Sequence, residues 1–135
     1  MGEKLEIQSP WSGKELVEIE INSYGNNKRI YIGLNSEYDG VMEPYGDLTV
    51  NIDAPCPDYS GYLDTNNNPD LERFVVENNL GEFTGFSGQS GFCSYPLYSF
   101  NVERLRELCP DGLESYERLN GLGKFAQDEV ERRGR

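Results

Sequence analysis

The sequence contains no histidine. That excludes Ser-His-Asp triads, Cys-His dyads, H-E-x-x-H zinc sites and most proton shuttles that work near neutral pH. Cysteine is scarce too. Cys56, Cys93 and Cys109 form an odd set without a C-x-x-C pair, so neither a disulfide framework nor a zinc site is expected, and reduced thiols are the simplest reading. Apolar residues make up 36% of the chain, which predicts a small, aromatic-rich core. No apolar run approaches the roughly 20 residues needed to cross a bilayer. The opening Met1-Gly2-Glu3-Lys4-Leu5-Glu6 lacks the apolar stretch of a signal peptide. A soluble, cytoplasmic chain that avoids membranes is expected. Bases are rare where acids are common. Residues 30–103 hold twelve acids against the single base Arg73, a net −11 out of the −12 of all 135 residues. From Arg104 onward seven acids and seven bases balance. Such a surface keeps a chain in solution, repels nucleic acid and suits a basic partner.

What is present is alternation. From Leu16 to Asn22, Val17, Ile19 and Ile21 fall on one face, with Leu16, Glu18, Glu20 and Asn22 on the other. Period two with β-branched residues inside predicts a half-buried strand. Arg29 to Asn35 repeats the pattern with Ile30, Ile32 and Leu34 inward. Asp39-Gly40 signals a hairpin. A third strand is predicted over Gly46 to Asp53, with Leu48, Val50 and Ile52 inward. After a long connection, an asparagine of the run Asn66-Asn67-Asn68 and Pro69 open a helix with Leu71, Phe74 and Val75 on one face, closed by Gly81 at its C-terminal end. The glycine-aromatic stretch 81–100 follows, read as one or two more strands. Asn101 caps a short helix over Val102 to Leu108. Asp111-Gly112-Leu113-Glu114 has the spacing of a capping box and opens a last helix striped by Leu113, Tyr116, Leu119 and Leu122.

These elements predict an α+β fold: one antiparallel sheet of four or five strands with one face covered by two or three short helices. Residues 1–13 are expected as a loose arm anchored by Trp11, 14–108 as the domain, and 109–135 as a C-terminal helix that frays from Gln127.

Four stretches could carry chemistry. Gly85, Gly88 and Gly91 could cradle a phosphate, yet G-x-x-x-x-G-K-[ST], G-x-G-x-x-G and G-x-S-x-G are all absent, and a structural turn accounts for them. Cys93 has no histidine and no nearby cation to activate it, so it is expected as a packed thiol. Asp64, Asn66, Asn68 and Asp70 match the first positions of a calcium loop. Pro69 and Val75, however, replace its glycine and its bidentate glutamate, and helix capping explains the asparagines. No catalytic residue, metal or cofactor is assigned. The remaining candidate is the outer sheet face, where Glu18, Glu20, Asp47 and Asp53 point outward beside Thr49 and Asn51. Carboxylates about 6.6–6.8 Å apart along a strand could imitate a row of phosphates and bind a basic protein, including one that itself binds nucleic acid. The plain alternative is a solvated face. A second site for a small molecule or peptide would centre on Phe86, Gln89 and Tyr95 in the glycine-aromatic stretch.

The segments Pro44-Tyr45-Gly46-Asp47-Leu48-Thr49-Val50-Asn51, Asp64-Thr65-Asn66-Asn67, Asn79-Leu80-Gly81, Thr84-Gly85 and Ser90-Gly91-Phe92-Cys93-Ser94-Tyr95-Pro96-Leu97-Tyr98-Ser99-Phe100 resemble a small domain-of-unknown-function family. Members of that family tend to be encoded on conjugative plasmids and integrative elements of Gram-positive gut bacteria, and the resemblance implies such an origin here. The resemblance spans about residues 15–108, and the run from Ser90 to Tyr98 is its most specific part. It transfers no site residue. It implies a setting among accessory proteins of mobile DNA, where small acidic proteins often inhibit host-defence nucleases.

Overall fold

The computed structural model describes residues 3–9 and 13–126. Among these residues the fold is α+β, with two antiparallel sheets of four strands and three α-helices. The first sheet runs in chain order: β1 (Leu5–Ser9), β2 (Gly13–Ser23), β3 (Ile30–Tyr38) and β4 (Val41–Asp47). The second contains β5 (Thr49–Val50), β6 (Ser60–Leu63), β7 (Gly81–Ser90) and β8 (Cys93–Phe100), in the order β5-β6-β8-β7. The helices are α1 (Leu71–Glu77), α2 (Val102–Leu108) and α3 (Pro110–Asn120), followed by a 3-10 turn at Gly123–Phe125. The expected single sheet of four or five strands is therefore two sheets.

The alternation in β2 and β3 does what period two requires. Val17, Ile19, Ile21, Ile30, Ile32 and Leu34 are all buried, and Ile19 pairs with Leu34 and Ile21 with Ile32 across the ladder. The β3–β4 hairpin turns on Asp39 and Gly40, both at positive φ (52° and 77°). That is the backbone a two-residue hairpin of the right twist needs, and the reason for Asp-Gly there.

The separation into two sheets happens at Leu48. Its N–H bonds to the carbonyl of Ile32 in the first sheet, and its carbonyl takes the N–H of Asp64 beside the second. Leu48 and Thr49 are both buried. The strand expected over 46–53 is thus broken, and Thr49, expected outward, faces inward. The Thr49 hydroxyl accepts the Ile32 N–H at 3.1 Å and shares a hydrogen bond with the Tyr24 hydroxyl at 2.9 Å. A buried hydroxyl without such partners would be costly.

Both sheets close on one core. Leu5, Ile7, Ile19, Ile32, Leu48, Leu63, Phe74, Tyr98, Phe100, Leu105, Leu113 and Tyr116 belong to it. Each such aliphatic or phenyl side chain stabilises by about 1.5–3 kcal/mol through burial. A second, smaller cluster of Ile52, Tyr62, Tyr95 and Leu97 lies apart, with Val50, Ala54, Cys56 and Cys93 packed on it. Val50 and Ile52 thus leave the main core in which alternation placed them, because the chain changes sheets before reaching them. Arg29 ties this region down, donating to the carbonyls of Ile52 and Ala54 at 2.8 and 2.7 Å.

Several ends differ from expectation. Residues 5–9 are β1, not a loose arm: Leu5 and Ile7 are buried, and the strand pairs with β2. The residue at the N-cap of α1 is Asp70, without a side-chain cap bond, while the Asn68 side chain accepts the Asp70 N–H and closes the preceding turn. The positive φ after α1 falls on Asn79 (57°), not Gly81, which is already in β7. Asn101 caps α2 as expected, accepting the Arg104 N–H. Cys109 is the N-cap of α3 and Pro110 its first residue, so Asp111 lies inside the helix. Proline fits there because its missing N–H has no helical partner to lose. Leu113 and Tyr116 are buried, but Leu119 is exposed. Pro10, Trp11 and the tail from Gln127 lie outside the described residues. No described helix is long and apolar enough to cross a membrane.

Candidate binding surfaces

The outer face of the first sheet follows from its inner one. With Ile19 and Ile21 inward, Glu18 and Glu20 must point out, and with Ile32 and Leu34 inward, so must Tyr31, Gly33 and Asn35. Gly33 pairs with Glu20 on one side and Asp47 on the other. Directly opposed residues share a face, so Glu20 and Asp47 flank a glycine across three strands, about 9–10 Å apart by strand spacing. A side chain at Gly33 would collide with the Tyr31 ring, which lies over it. The Tyr31 hydroxyl donates to Asp47 Oδ1 at 2.7 Å. Asn35 Nδ2 donates to Glu20 Oε1 at 3.0 Å. The two carboxylates are held by neutral donors, and among the described residues neither forms an ion pair with a base. Burial and the hydrogen bond to Asp47 push the Tyr31 phenol well above its ordinary range, so it stays a donor.

Of the four acids singled out in the sequence, three share this face. Glu20 and Asp47 are exposed and Glu18 is half-buried. Asp53 is exposed but sits on the loop after β5, beside a hollow of about 260 Å³ lined by Asn26, Asn27, Arg29 and Asn51. Asn51 is engaged there with Asn26 and Asn27. Crossing to the second sheet at Leu48 takes Asp53 off the strand that alternation gave it.

The second surface is the β7–β8 hairpin. Its two-residue loop places Gly91 at φ 63° and leaves Phe92 wholly exposed. Phe86 is 70% and Phe83 50% exposed, and Gln89 is exposed. Tyr95, expected beside them, is buried in the small cluster. Gly88 explains how: a Cβ there would press into Tyr62 at 2.7 Å and Ile52 at 2.8 Å, so only glycine lets that cluster close against β7. Cys93 is half-buried against the same cluster.

The Asp64–Asp70 segment is spent on local structure. Asp64 is buried, accepts Asn67 Nδ2 at 2.8 Å through its side chain, and takes the N–H groups of Asn67 and Asn68 on its carbonyl. Asp70 pairs with Arg73. Among the described residues no three acids or thiols gather as a metal-binding group. A hollow of about 400 Å³ between β1, β2 and α1 is lined by Glu6, Lys14, Asp70, Arg73 and Glu77, whose charges pair with one another.

One group carried no signal in the sequence. Glu117 in α3 is 1% exposed. Arg106 donates to both its oxygens at 2.9 Å, and the Tyr59 hydroxyl donates to Oε2 at 2.6 Å. Its partners come from α2 and from the approach to β6, separations that no local pattern reports. The same motif recurs at Tyr98, which donates to Glu72 at 2.6 Å. These contacts join elements of the fold: α2, α3 and the approach to β6 at Glu117, and α1 and β8 at Glu72.

No curated protein and no solved structure matches the chain. Residues 18–120 match a family described as Domain of unknown function (DUF4313). That stretch runs from the middle of β2 to the end of α3, so it leaves out β1 but takes in the rest of the first sheet from Glu18 on, the whole second sheet, all three helices and both surfaces; the chain belongs to this family, DUF4313.

Proposed function

We propose that this protein is a non-enzymatic binding protein that uses its acidic surface to occupy a basic, nucleic-acid-binding protein partner. The observation that carries this reading is the row Glu20–Gly33–Asp47 with Glu18 beside it: carboxylates on the two strands that flank β3, oriented by Tyr31 and Asn35 and, among the described residues, not paired with a base. The surrounding segment, at −11 over residues 30–103, adds a field of the same sign. A surface of this sign repels nucleic acid and draws a basic groove toward it, chiefly through the association rate. The resemblance to accessory proteins of mobile elements suggests the setting, a cytoplasmic inhibitor of a host-defence nuclease.

The test compares capture from a bacterial extract by the protein and by the variant E18Q/E20Q/D47N/D53N. The expected result is a set of DNA-binding proteins released by added duplex DNA and by salt, and missing from the variant's capture. Capture that is identical for both proteins, or indifferent to salt up to physiological strength, where exposed charges are screened over about 8–10 Å, overturns the reading.

A second reading has its own observation. Phe86, Gln89 and Phe92 stand exposed on one hairpin, as a module for a small molecule or peptide would require. Tyr95, expected from the sequence as part of this site, belongs instead to the packed cluster with Ile52, Tyr62 and Leu97.

A further inference from the structure

We infer that β7 is a docking edge that takes an extended, basic segment of the partner as an added strand, seated on Phe83 and Phe86. The inference rests on the proposal that the partner is basic, and it names where and in what conformation part of that partner binds.

Three observations lead to it. The first is topology: β7 is the last strand of its sheet. Among the described residues, no backbone hydrogen bond joins residues 84–90 to any element other than β8. A strand edge with unpaired N–H and C=O groups is a template for another strand, and proteins usually protect it with lysine, proline, a bulge or a covering element. β7 has neither lysine nor proline in Gly81–Ser90. Its one interruption is a bulge between Phe83 and Ser87, with Gly85 at φ 93° and the Phe86 N–H taken by the Thr84 hydroxyl. Beyond the bulge, Ser87 to Ser90 pair regularly with β8.

The second is apolar exposure. Phe83 and Phe86 lie half to mostly exposed on the edge strand, with Phe92 at the hairpin tip. Phe83 is braced by the Tyr98 ring, with centroids 5.7 Å apart. Aromatic side chains braced from behind and open in front are typical anchors for a partner.

The third is charge, and it selects the occupant. No base occurs between Arg73 and Arg104, while Glu82 lies exposed at the start of β7. Tyr98, which carries Phe83, also holds Glu72. An incoming strand with lysine or arginine alternating with apolar residues would meet Phe83 with one set and, on the opposite face, Glu82 with the other. A second copy of this chain would bring the same acids to the same edge and a net −12 of its own, so a β7–β7 dimer is disfavoured by like charge.

The probe is a ten-residue peptide of alternating lysine and valine, offered to the full chain at physiological salt. Two controls accompany it: a glutamate–valine counterpart, and a peptide of equal positive charge with a central proline pair that cannot extend as a strand. Amide hydrogen exchange and fluorescence anisotropy are read together. Expected are binding of the lysine–valine peptide, new protection of those amides in Ser87–Ser90 that face away from β8, and weakening by at least about tenfold in F83A/F86A, the scale of lost aromatic anchors. Binding should be retained in E18Q/E20Q/D47N/D53N. Loss in that acidic-face variant alone would overturn the docking edge while leaving the charge-based function standing. Equal binding of the proline peptide would reduce the contact to charge and overturn the edge. No binding, or a peptide-free dimer that already protects Ser87–Ser90, would also overturn it.

Discussion

Arg106 grips the carboxylate of Glu117 with both guanidinium ends, each at 2.9 Å, while Glu117 lies 1% exposed between α2, α3 and the Tyr59 hydroxyl. The chain after α3 also closes over it, since a side chain at Gly123 would collide with the Glu117 carboxylate.

Removing Arg106 strands a buried charge. Arg106→Ala should destabilise the protein by about 3–5 kcal/mol, toward the low end because Arg106 itself is half-exposed. Urea unfolding at neutral pH measures it; a loss below about 1 kcal/mol would mean that water reaches Glu117 freely. The pair also sets an acid limit. Arg106 holds the Glu117 carboxyl below its ordinary value, against the opposing effect of burial. Its contribution is therefore complete above the unfolded value of about 4.3 and is lost as pH falls through the lowered folded value. Glu117→Gln should flatten that part of the acid limb, and an unchanged limb would refute the assignment.

Gly112 sets how closely α3 approaches β2. A Cβ there would fall within contact distance of the Ile21 carbonyl and 2.9 Å from Cys109 Sγ. Because the nearest atom is backbone, it cannot simply rotate away. Gly112→Ala should cost about 1–3 kcal/mol. Gly46→Ala is the control: nothing lies within 4 Å of its Cβ and its φ is not positive, so stability should stay within about 1 kcal/mol of the wild type. Equal effects of the two substitutions in urea unfolding would contradict this packing.

Phe74 is buried in the main core from α1. Phe74→Ala should cost about 3–5 kcal/mol. A loss below about 1 kcal/mol would place the residue nearer the surface than the structure does.

The acidic face should matter for binding and not for folding. E18Q/E20Q/D47N/D53N should leave Tm within about 3 °C, because exposed charges contribute little each and the amides can still accept from Tyr31 and Asn35. With a captured partner, stopped-flow kinetics should show a slower association and a nearly unchanged dissociation. A change confined to dissociation would move the contact from steering to close packing.

Local patterns were enough wherever structure was local. Val17, Ile19 and Ile21, and Ile30, Ile32 and Leu34, announced their strands because a pleated backbone sends alternate side chains to opposite faces. Asp39-Gly40 announced its hairpin through the backbone it tolerates, and Asn101 announced α2 through a bond three residues long. The net charge was plain from the composition. Which acids share a face was only partly plain: Glu18 and Glu20 follow from one strand, but Asp47 beside Glu20 depends on both being paired with Gly33.

The tertiary structure alone decided the rest. Leu48 hydrogen-bonds to Ile32 on one side and Asp64 on the other, and that double pairing divides one expected sheet into two and carries Asp53 away from the other acids. β1 has only five residues, and its strand character comes from pairing with β2. Glu117 reads as a surface helix residue until Arg106 and Tyr59 arrive from other elements. Side-chain period is a property of one backbone segment, so a sequence displays it directly. Register, sheet membership and the burial of a charge depend on which distant segments meet, and folding settles that by satisfying buried polar groups and closing the core together.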